Sequence, residues 1–437
     1  MDMVSAFFYN LFLTVGVIVF APFLFVKVIL TPKYRSRSVR RLGFALGESP
    51  GGAGSGRPRI WVHALSVGEV ASARNLVQEL RRSYPQGVII FSSATRTGES
   101  FARSILGEHV DCFAPFPFDL LVSVKRLVSW VRPDLFVLVE TDFWPNFLAE
   151  LNRRDIPCLL VNGRASDSSF ARYRNLRWLF RPLFNSFQAL AMQTEQDAIG
   201  MRQLGVDPAR LAVLGNLKYD AALMGSAVKA GLDRAALHIP EQALVWVAGS
   251  THSGEEEIIF NVFQSLTRTF ANLFLIVAPR NVERGAELAA MAARRGLSAC
   301  RRSLGGAGEG LGSVLILDTL GELALIYVLC DVAFIGGSLV PERGHNPLEP
   351  AVYGKPVLFG PHMEDFAEIS RDLLAVGGAR QVHDAEELRA ALAILLADPA
   401  EREQAGRQAQ ELIASRRGVT EAHLVLIRSV LAREEKE

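Results

Sequence analysis

From Arg59 onward the chain repeats one pattern: a short run of β-branched and other apolar residues, a longer amphipathic stretch, then another apolar run. Strands joined by helical crossovers lie parallel and are covered on both faces, so the pattern restricts the fold to an open α/β architecture. The apolar runs 59–65, 87–94, 135–140, 157–162, 189–193 and 211–215 form a first series. Between Asp220 and Ala243 the pattern weakens into Ala and Gly, and a second series follows at 245–249, 273–278, 314–318, 332–336 and 356–360. Two consecutive doubly wound, Rossmann-like halves are expected, 59–230 and 231–437. A length of 437 residues, too long for one ordinary core, agrees with that count.

The first thirty residues are an appendage to this pattern. Val4 to Val26 carries no charged side chain, and at ~1.5 Å per helical residue such a run crosses the ~30 Å core of a bilayer. Residues 1–31 are therefore read as a membrane-anchor helix, with Pro22 as a kink. A cleaved signal peptide is the rival reading, but here the basic residues follow the apolar run instead of preceding it. Lys33, Arg35, Arg37, Arg40 and Arg41 come next without an acid among them, which by the positive-inside rule keeps the globular body on the cytoplasmic side. The same cluster suits anionic membrane headgroups. Residues 32–58 read as a basic and Gly/Ser-rich linker that ends in GESPGGAGSGRP (47–58). A net charge of +1 argues against a nucleic-acid partner. The widely spaced Cys112, Cys158, Cys300 and Cys330 have no metal-ligand spacing and read as reduced core thiols.

In open α/β sheets ligands bind beyond the carboxyl ends of the strands. HALSVGEVASA (63–73) places Glu69 at such a strand-to-helix turn, three residues after Ser66. That spacing is a capping box, which accounts for the pair structurally, yet the position also suits a catalytic base. In the second half, Gly249 and Ser250 offer backbone to a phosphate, and the acids Glu255, Glu256 and Glu257 read as helix capping and solvated surface. Pro279 and Arg280 close the next strand, where an arginine offers a fork of donors to a phosphate or makes a salt bridge. The run 336–361 is the densest. Asn346 and Pro347 read as a helix start, with Glu349 one turn inside to accept ribose hydroxyls and free N–H groups to receive an anion. No D-x-D or His cluster suggests a metal, and the first half lacks a clear G-x-G-x-x-G. No metal and no cofactor is expected. The fold pattern alone leaves two-Rossmann glycosyltransferases, epimerases and two-domain binding proteins open.

HALSVGEVASA, VETDFWPN (139–146), GNLKYD (215–220), VAPRN (277–281), DTLGEL (318–323) and GGSLVPERGHNPLEPAVYGKPVLFGPH (336–362) occur in that order. Together they resemble the 3-deoxy-D-manno-octulosonic acid (Kdo) transferases of lipopolysaccharide synthesis. The resemblance implies an inverting glycosyltransferase of the GT-B type, two Rossmann-like domains facing a cleft behind an N-terminal inner-membrane anchor. It would move Kdo from CMP-Kdo to the lipid A precursor lipid IVA, with inner-membrane lipids as further partners. It also implies Glu69 as general base, Glu140 and Lys218 as transition-state support, and Pro279, Arg280, Leu320, Gly321, Glu322, Asn346, Pro347, Leu348 and Glu349 as the CMP site. SDSSFARYRN (166–175), after the Asn162–Gly163–Arg164 turn, departs from the family pattern and carries no implied role. The rivals are a GT-B transferase using a UDP-sugar and a lipid acceptor, and a membrane-tethered protein that binds a nucleotide without turning it over.

Overall fold

The computed structural model describes residues 3–30, 32–50, 57–227, 233–305 and 312–434. Residues up to Ala221, together with those from Gly418 on, form one compact unit; Ala222–Arg417 form a second.

The first unit is built on seven parallel strands: β1 (Arg59–Ala64), β2 (Val88–Ser93), β3 (Cys112–Phe113), β4 (Leu135–Val139), β5 (Cys158–Gly163), β6 (Ala189–Met192) and β7 (Leu211–Val213), in the order β3-β2-β1-β4-β5-β6-β7. Side chains alternate between the two faces of a strand, and here both faces are buried. Trp61, Phe136, Leu138 and Leu160 enter one core cluster. Ile60, Val62, Leu135, Val137, Leu159 and Val161 enter another. In the first cluster Trp61 meets the edges of Phe136 and Phe147 at 5.6 and 5.2 Å between ring centres.

The second cluster explains why the end of the chain returns to this unit. Leu424, Ile427, Val430 and Leu431 of the last helix, Val419–Glu434, pack in it beside Val70, Ala73 and Val77 of α3 (Val67–Ser83). Asp220 fixes the return by accepting the backbone N–H groups of Gly418 and Thr420 at 3.1 and 2.6 Å. The expected second half, 231–437, thus differs from the observed second unit at its C-terminal end, because the last helix covers a sheet face of the first unit.

The second unit repeats the architecture with β8 (Leu244–Thr251), β9 (Leu273–Pro279), β10 (Ala299–Arg301), β11 (Val314–Ile316), β12 (Val332–Ile335), β13 (Val357–Phe359) and β14 (Ala379–Gln381), ordered β10-β11-β9-β8-β12-β13-β14. In both sheets the order changes direction at the central strand, which puts a topological switch point between β1 and β4 and another between β8 and β12.

Two helices precede the first sheet, α1 (Met3–Leu30) and α2 (Pro32–Arg41). In α1 the described side chains are those of residues 6–19, so within the expected span from Val4 to Val26 the side chains of residues 4, 5 and 20–26 lie outside those described. Among the described residues no helix is long and apolar enough to cross a membrane. Polar contacts tie α1 to the first unit: the Tyr9 hydroxyl donates to Asp119 (2.8 Å) and Asn10 pairs with the Asn146 side chain (2.9 Å). The basic segment is also engaged. Arg37 donates to the carbonyls of Ser93 and Ala94, and Arg41 donates to the carbonyl of Phe116. The linker is anchored where it is described, since the Trp130 indole donates to the carbonyls of Gly47 and Glu48.

If the last helix is part of the first core, Leu424→Ala should cost ~2–5 kcal/mol, as truncation of a buried leucine does. Val425→Ala, on the exposed side of the same helix, should change little. Urea unfolding of the full-length protein followed by fluorescence measures both.

Candidate active site

β1 and β4 part at the switch point of the first sheet, and each delivers a carboxylate there. After β1 the chain turns into α3 with Ser66 as its N-cap, whose Oγ accepts the Glu69 N–H at 3.4 Å. The Glu69 carboxylate turns back and accepts the Leu65 N–H at 2.6 Å. The capping role is therefore present, but it leaves the second carboxylate oxygen unused among the hydrogen bonds described. Burial pushes the Glu69 carboxyl up to about 8; the charges of Glu140 and Asp142 push the same way, against the Leu65 N–H and Arg164. A carboxyl in that range accepts a proton near neutral pH far more readily than a solvated one.

Glu140 follows β4 directly, in left-handed backbone at φ 62°, with its own N–H bonded to the Val161 carbonyl. Its side chain is buried and held at both oxygens. Arg164 Nε donates to Oε2 at 2.9 Å, Asn162 Nδ2 donates to Oε1 at 3.2 Å, and Ser72 of α3 stands 3.5 Å from Oε1. Two residues on, Asp142 accepts from His63 Nε2 at 3.2 Å. His63 is fully buried on β1, its ring stacked 3.7 Å from that of Phe116. Its Nδ1 lies 2.8 Å from Ser92 Oγ, which in turn accepts the Trp61 indole N–H. Burial lowers the imidazole below its ordinary range despite Asp142. A neutral ring with Nε2–H toward Asp142 and the Ser92 hydroxyl donating to Nδ1 satisfies every group in this chain.

Lys218 belongs to the same unit, half-buried in the first turn of the helix Leu217–Ala227, with its N–H bonded to Asn216 Oδ1 at 3.1 Å. Glu69, Glu140 and Lys218, far apart in sequence, thus all stand beyond the carboxyl ends of strands in one sheet.

The second unit assembles the remaining candidates. Arg280, just past β9, is exposed, with its N–H bonded to the Thr251 carbonyl. Its charge bears on His345 and Glu349 alike. Glu349 is pushed up to about 7, by burial first, with Asn346 and Arg280 opposing. Asn346 accepts the Leu348 N–H at 3.1 Å. The helix expected from Pro347 is a single turn, Leu348–Ala351, and its first N–H is bonded to Asn346. At the end of β11, Leu320 is 82% exposed and Gly321 takes φ 85° with open space where a side chain would stand. Glu322 beside them is paired with Arg302 at 3.0 Å.

The expectation for the acids at 255–257 changes in part. Glu255 and Glu256 are fully buried, not solvated. Glu255 accepts the N–H groups of Gly337, Ser338 and Leu339 at 2.7, 3.0 and 3.0 Å, so it staples the loop after β12 from within. Glu256 pairs with Arg284 at 2.7 Å. At Gly249 the Cβ position is taken up by the Tyr327 hydroxyl, which leaves room for no side chain there. Sequence reading also assigned nothing to His252 and His345, whose Nε2 atoms meet at 2.8 Å over stacked rings at the second switch point. Asn162, Arg164, His63 and Asp142 were missed in the first unit; their signal was adjacency to strand ends inside motifs already noted. Among the described residues no group of three His, Cys, Asp or Glu side chains converges as metal ligands.

A family model described as 3-deoxy-D-manno-octulosonic-acid transferase (kdotransferase) matches residues 36–221. The 3-deoxy-D-manno-octulosonic acid transferase of Haemophilus influenzae is 33% identical over 429 residues, which cover 98% of this chain and 99% of that one. The enzyme of the same name from Bordetella pertussis is 32% identical over 371 residues, 83% of this chain and 85% of its own. Among solved structures, the UDP-GlcNAc 2-epimerase of Neisseria meningitidis bound to UDP-GlcNAc aligns with a TM-score of 0.60 at 12% identity, over 85% of this chain and 99% of that one, a likeness of fold alone. With the first of these relatives matched from end to end, the chain belongs to the 3-deoxy-D-manno-octulosonic acid transferase family.

Proposed function

We propose that this protein is an inverting Kdo transferase of lipopolysaccharide synthesis, in a GT-B arrangement, that takes Kdo from CMP-Kdo and joins it to lipid IVA. The observation that carries the chemical part is Glu69, a buried carboxyl raised to about 8 beside a second, firmly held carboxylate. In the proposed step an acceptor hydroxyl gives its proton to Glu69 while its oxygen bonds the anomeric carbon of Kdo. The bond from that carbon to the phosphate oxygen breaks, and CMP leaves with the electron pair. Glu140 and Lys218 flank the charge that develops. Arg280 and Glu349 hold the nucleotide, the first through its phosphate and the second through ribose hydroxyls, with Pro279, Leu320, Gly321, Glu322, Asn346, Pro347 and Leu348 completing that site.

The lipid acceptor accords with the first helix. Phe7, Phe8, Leu11, Phe12, Val15, Ile18 and Val19 of α1 are exposed, Phe12 at 70%, and a contiguous apolar patch of this kind marks a lipid or protein contact. We read α1 as the element that holds the enzyme at the inner membrane, with the catalytic body on the cytoplasmic face. Phe8→Ser with Phe12→Ser should reduce flotation of the full-length protein with anionic phospholipid vesicles while leaving transfer to a detergent-dispersed acceptor intact.

Glu69→Gln separates base from cap. The amide still accepts the Leu65 N–H, but general-base catalysis typically contributes ~10²–10⁴-fold, so transfer from CMP-Kdo should fall by at least ~10²-fold. Wild-type kcat/KM should rise with pH through about 8, because the base works only when deprotonated. The same shift has a sign for stability. A carboxyl raised on folding contributes most below its unfolded value and loses that contribution as pH climbs through about 8. Glu69→Gln should therefore melt no lower than wild type at pH ~9.

Arg280→Ala and Glu349→Ala should each weaken CMP binding by ~1–3 kcal/mol, the usual loss for a hydrogen bond to a charged group. Calorimetric titration with CMP and with UDP checks both the site and the base preference.

A further inference from the structure

Asn162, in the middle of the first unit, uses each of its polar groups on a different element. Its Nδ2 donates to Glu140 Oε1 at 3.2 Å, and its Oδ1 accepts the Leu217 N–H at 2.9 Å, next to Lys218. Its backbone N–H donates to His423 Nε2 at 3.1 Å, and its carbonyl accepts from Gln193 Nε2 at 2.9 Å. Gln193 extends the frame, since its Oε1 accepts Asn216 Nδ2 at 3.0 Å, and Asn216 Oδ1 accepts the Lys218 N–H at 3.1 Å. Asn162, Gln193, Asn216 and His423 are all buried.

We propose that Asn162 is a positioning residue for the transfer reaction, setting Glu140 and the Asn216–Lys218 segment in one hydrogen-bonded frame; this rests on the reading of Glu140 and Lys218 as transition-state groups. A carboxamide suits the position because its donor and its acceptor are separate atoms: Nδ2 reaches the Glu140 carboxylate while Oδ1 takes the Leu217 N–H on the other side. Its backbone is left-handed, at φ 54°, a conformation that asparagine tolerates better than most residues. His423 completes the support from the last helix. Its Nδ1 lies 2.8 Å from the Val419 carbonyl and donates to it, which leaves Nε2 as the acceptor for Asn162. Burial keeps that ring below its ordinary range and hence neutral.

The test compares Asn162→Asp with Asn162→Ala in the full-length protein. Aspartate has the shape of asparagine and still accepts the Leu217 N–H, but when ionised it cannot donate to Glu140 and repels it. Under a positioning role, kcat at pH ~8.5 falls by ~10²-fold in Asn162→Asp and by less in Asn162→Ala, a loss in the range that misplacement of reacting groups produces. KM for CMP-Kdo and CMP affinity stay at wild-type values. Gln193→Ala, which breaks the frame one bond further out, shows a smaller kcat loss with the same unchanged KM. Each rate is taken per folded molecule, well below the variant's melting temperature. A kcat within ~3-fold of wild type in both Asn162 variants, with only the melting temperature changed, would overturn the positioning role. Glu140→Gln is the control. If it loses kcat while the Asn162 variants keep theirs, the positioning role alone falls. If Glu140→Gln transfers at the wild-type rate, the reading of Glu140 falls and the proposal with it.

Discussion

The burial of two carboxylates where β1 and β4 part is the interaction on which the rest of the first unit depends. Each would be costly alone, because an ionised side chain loses its hydration in the interior and needs partners in return. Glu140 is given Arg164 and Asn162. Glu69 receives a single N–H from Leu65 and accordingly holds its proton more tightly. The two acids thus differ in how they are held: Glu140 is bonded at both oxygens, and Glu69 is bonded at one.

That arrangement carries strain. Glu140, Asp142 and Asn162 all have positive φ, at 62°, 97° and 54°. Non-glycine residues in such backbone cost of order 1–3 kcal/mol each and persist only where their surroundings hold them. Here the surroundings are the hydrogen bonds already described.

Much of this was legible before any coordinates. The long apolar runs mark the central strands, since a strand buried on both faces must be apolar throughout. β3, β10 and β14 escaped notice because they have two or three residues each and lie at or near sheet edges, where little apolar pattern is needed. Glu69, Glu140 and Arg280 stand at strand ends that the pattern locates. Glu255 was misread because three acids at a helix start look alike in sequence. Only the folded loop shows that one of them turns inward onto three backbone N–H groups. The pairing of Asn162 with His423 was beyond reach for a different reason. The two residues are 261 positions apart, and no local spacing connects them.

The return of Val419–Glu434 to the first unit also sets an order of events during synthesis. The second unit, Ala222–Arg417, is contiguous and has all its strands before the last helix is made. The first unit begins earlier but finishes later. Until the final residues emerge, the sheet face bearing Ile60, Val62 and Val137 lacks Leu424, Ile427 and Val430, and the Asn162 N–H lacks His423. Domains usually fold in the order in which they leave the ribosome; here the unit that starts first is completed last. A chain interrupted before residue 419 would carry a finished second unit and an open first one, with no way to complete the frame around Glu140.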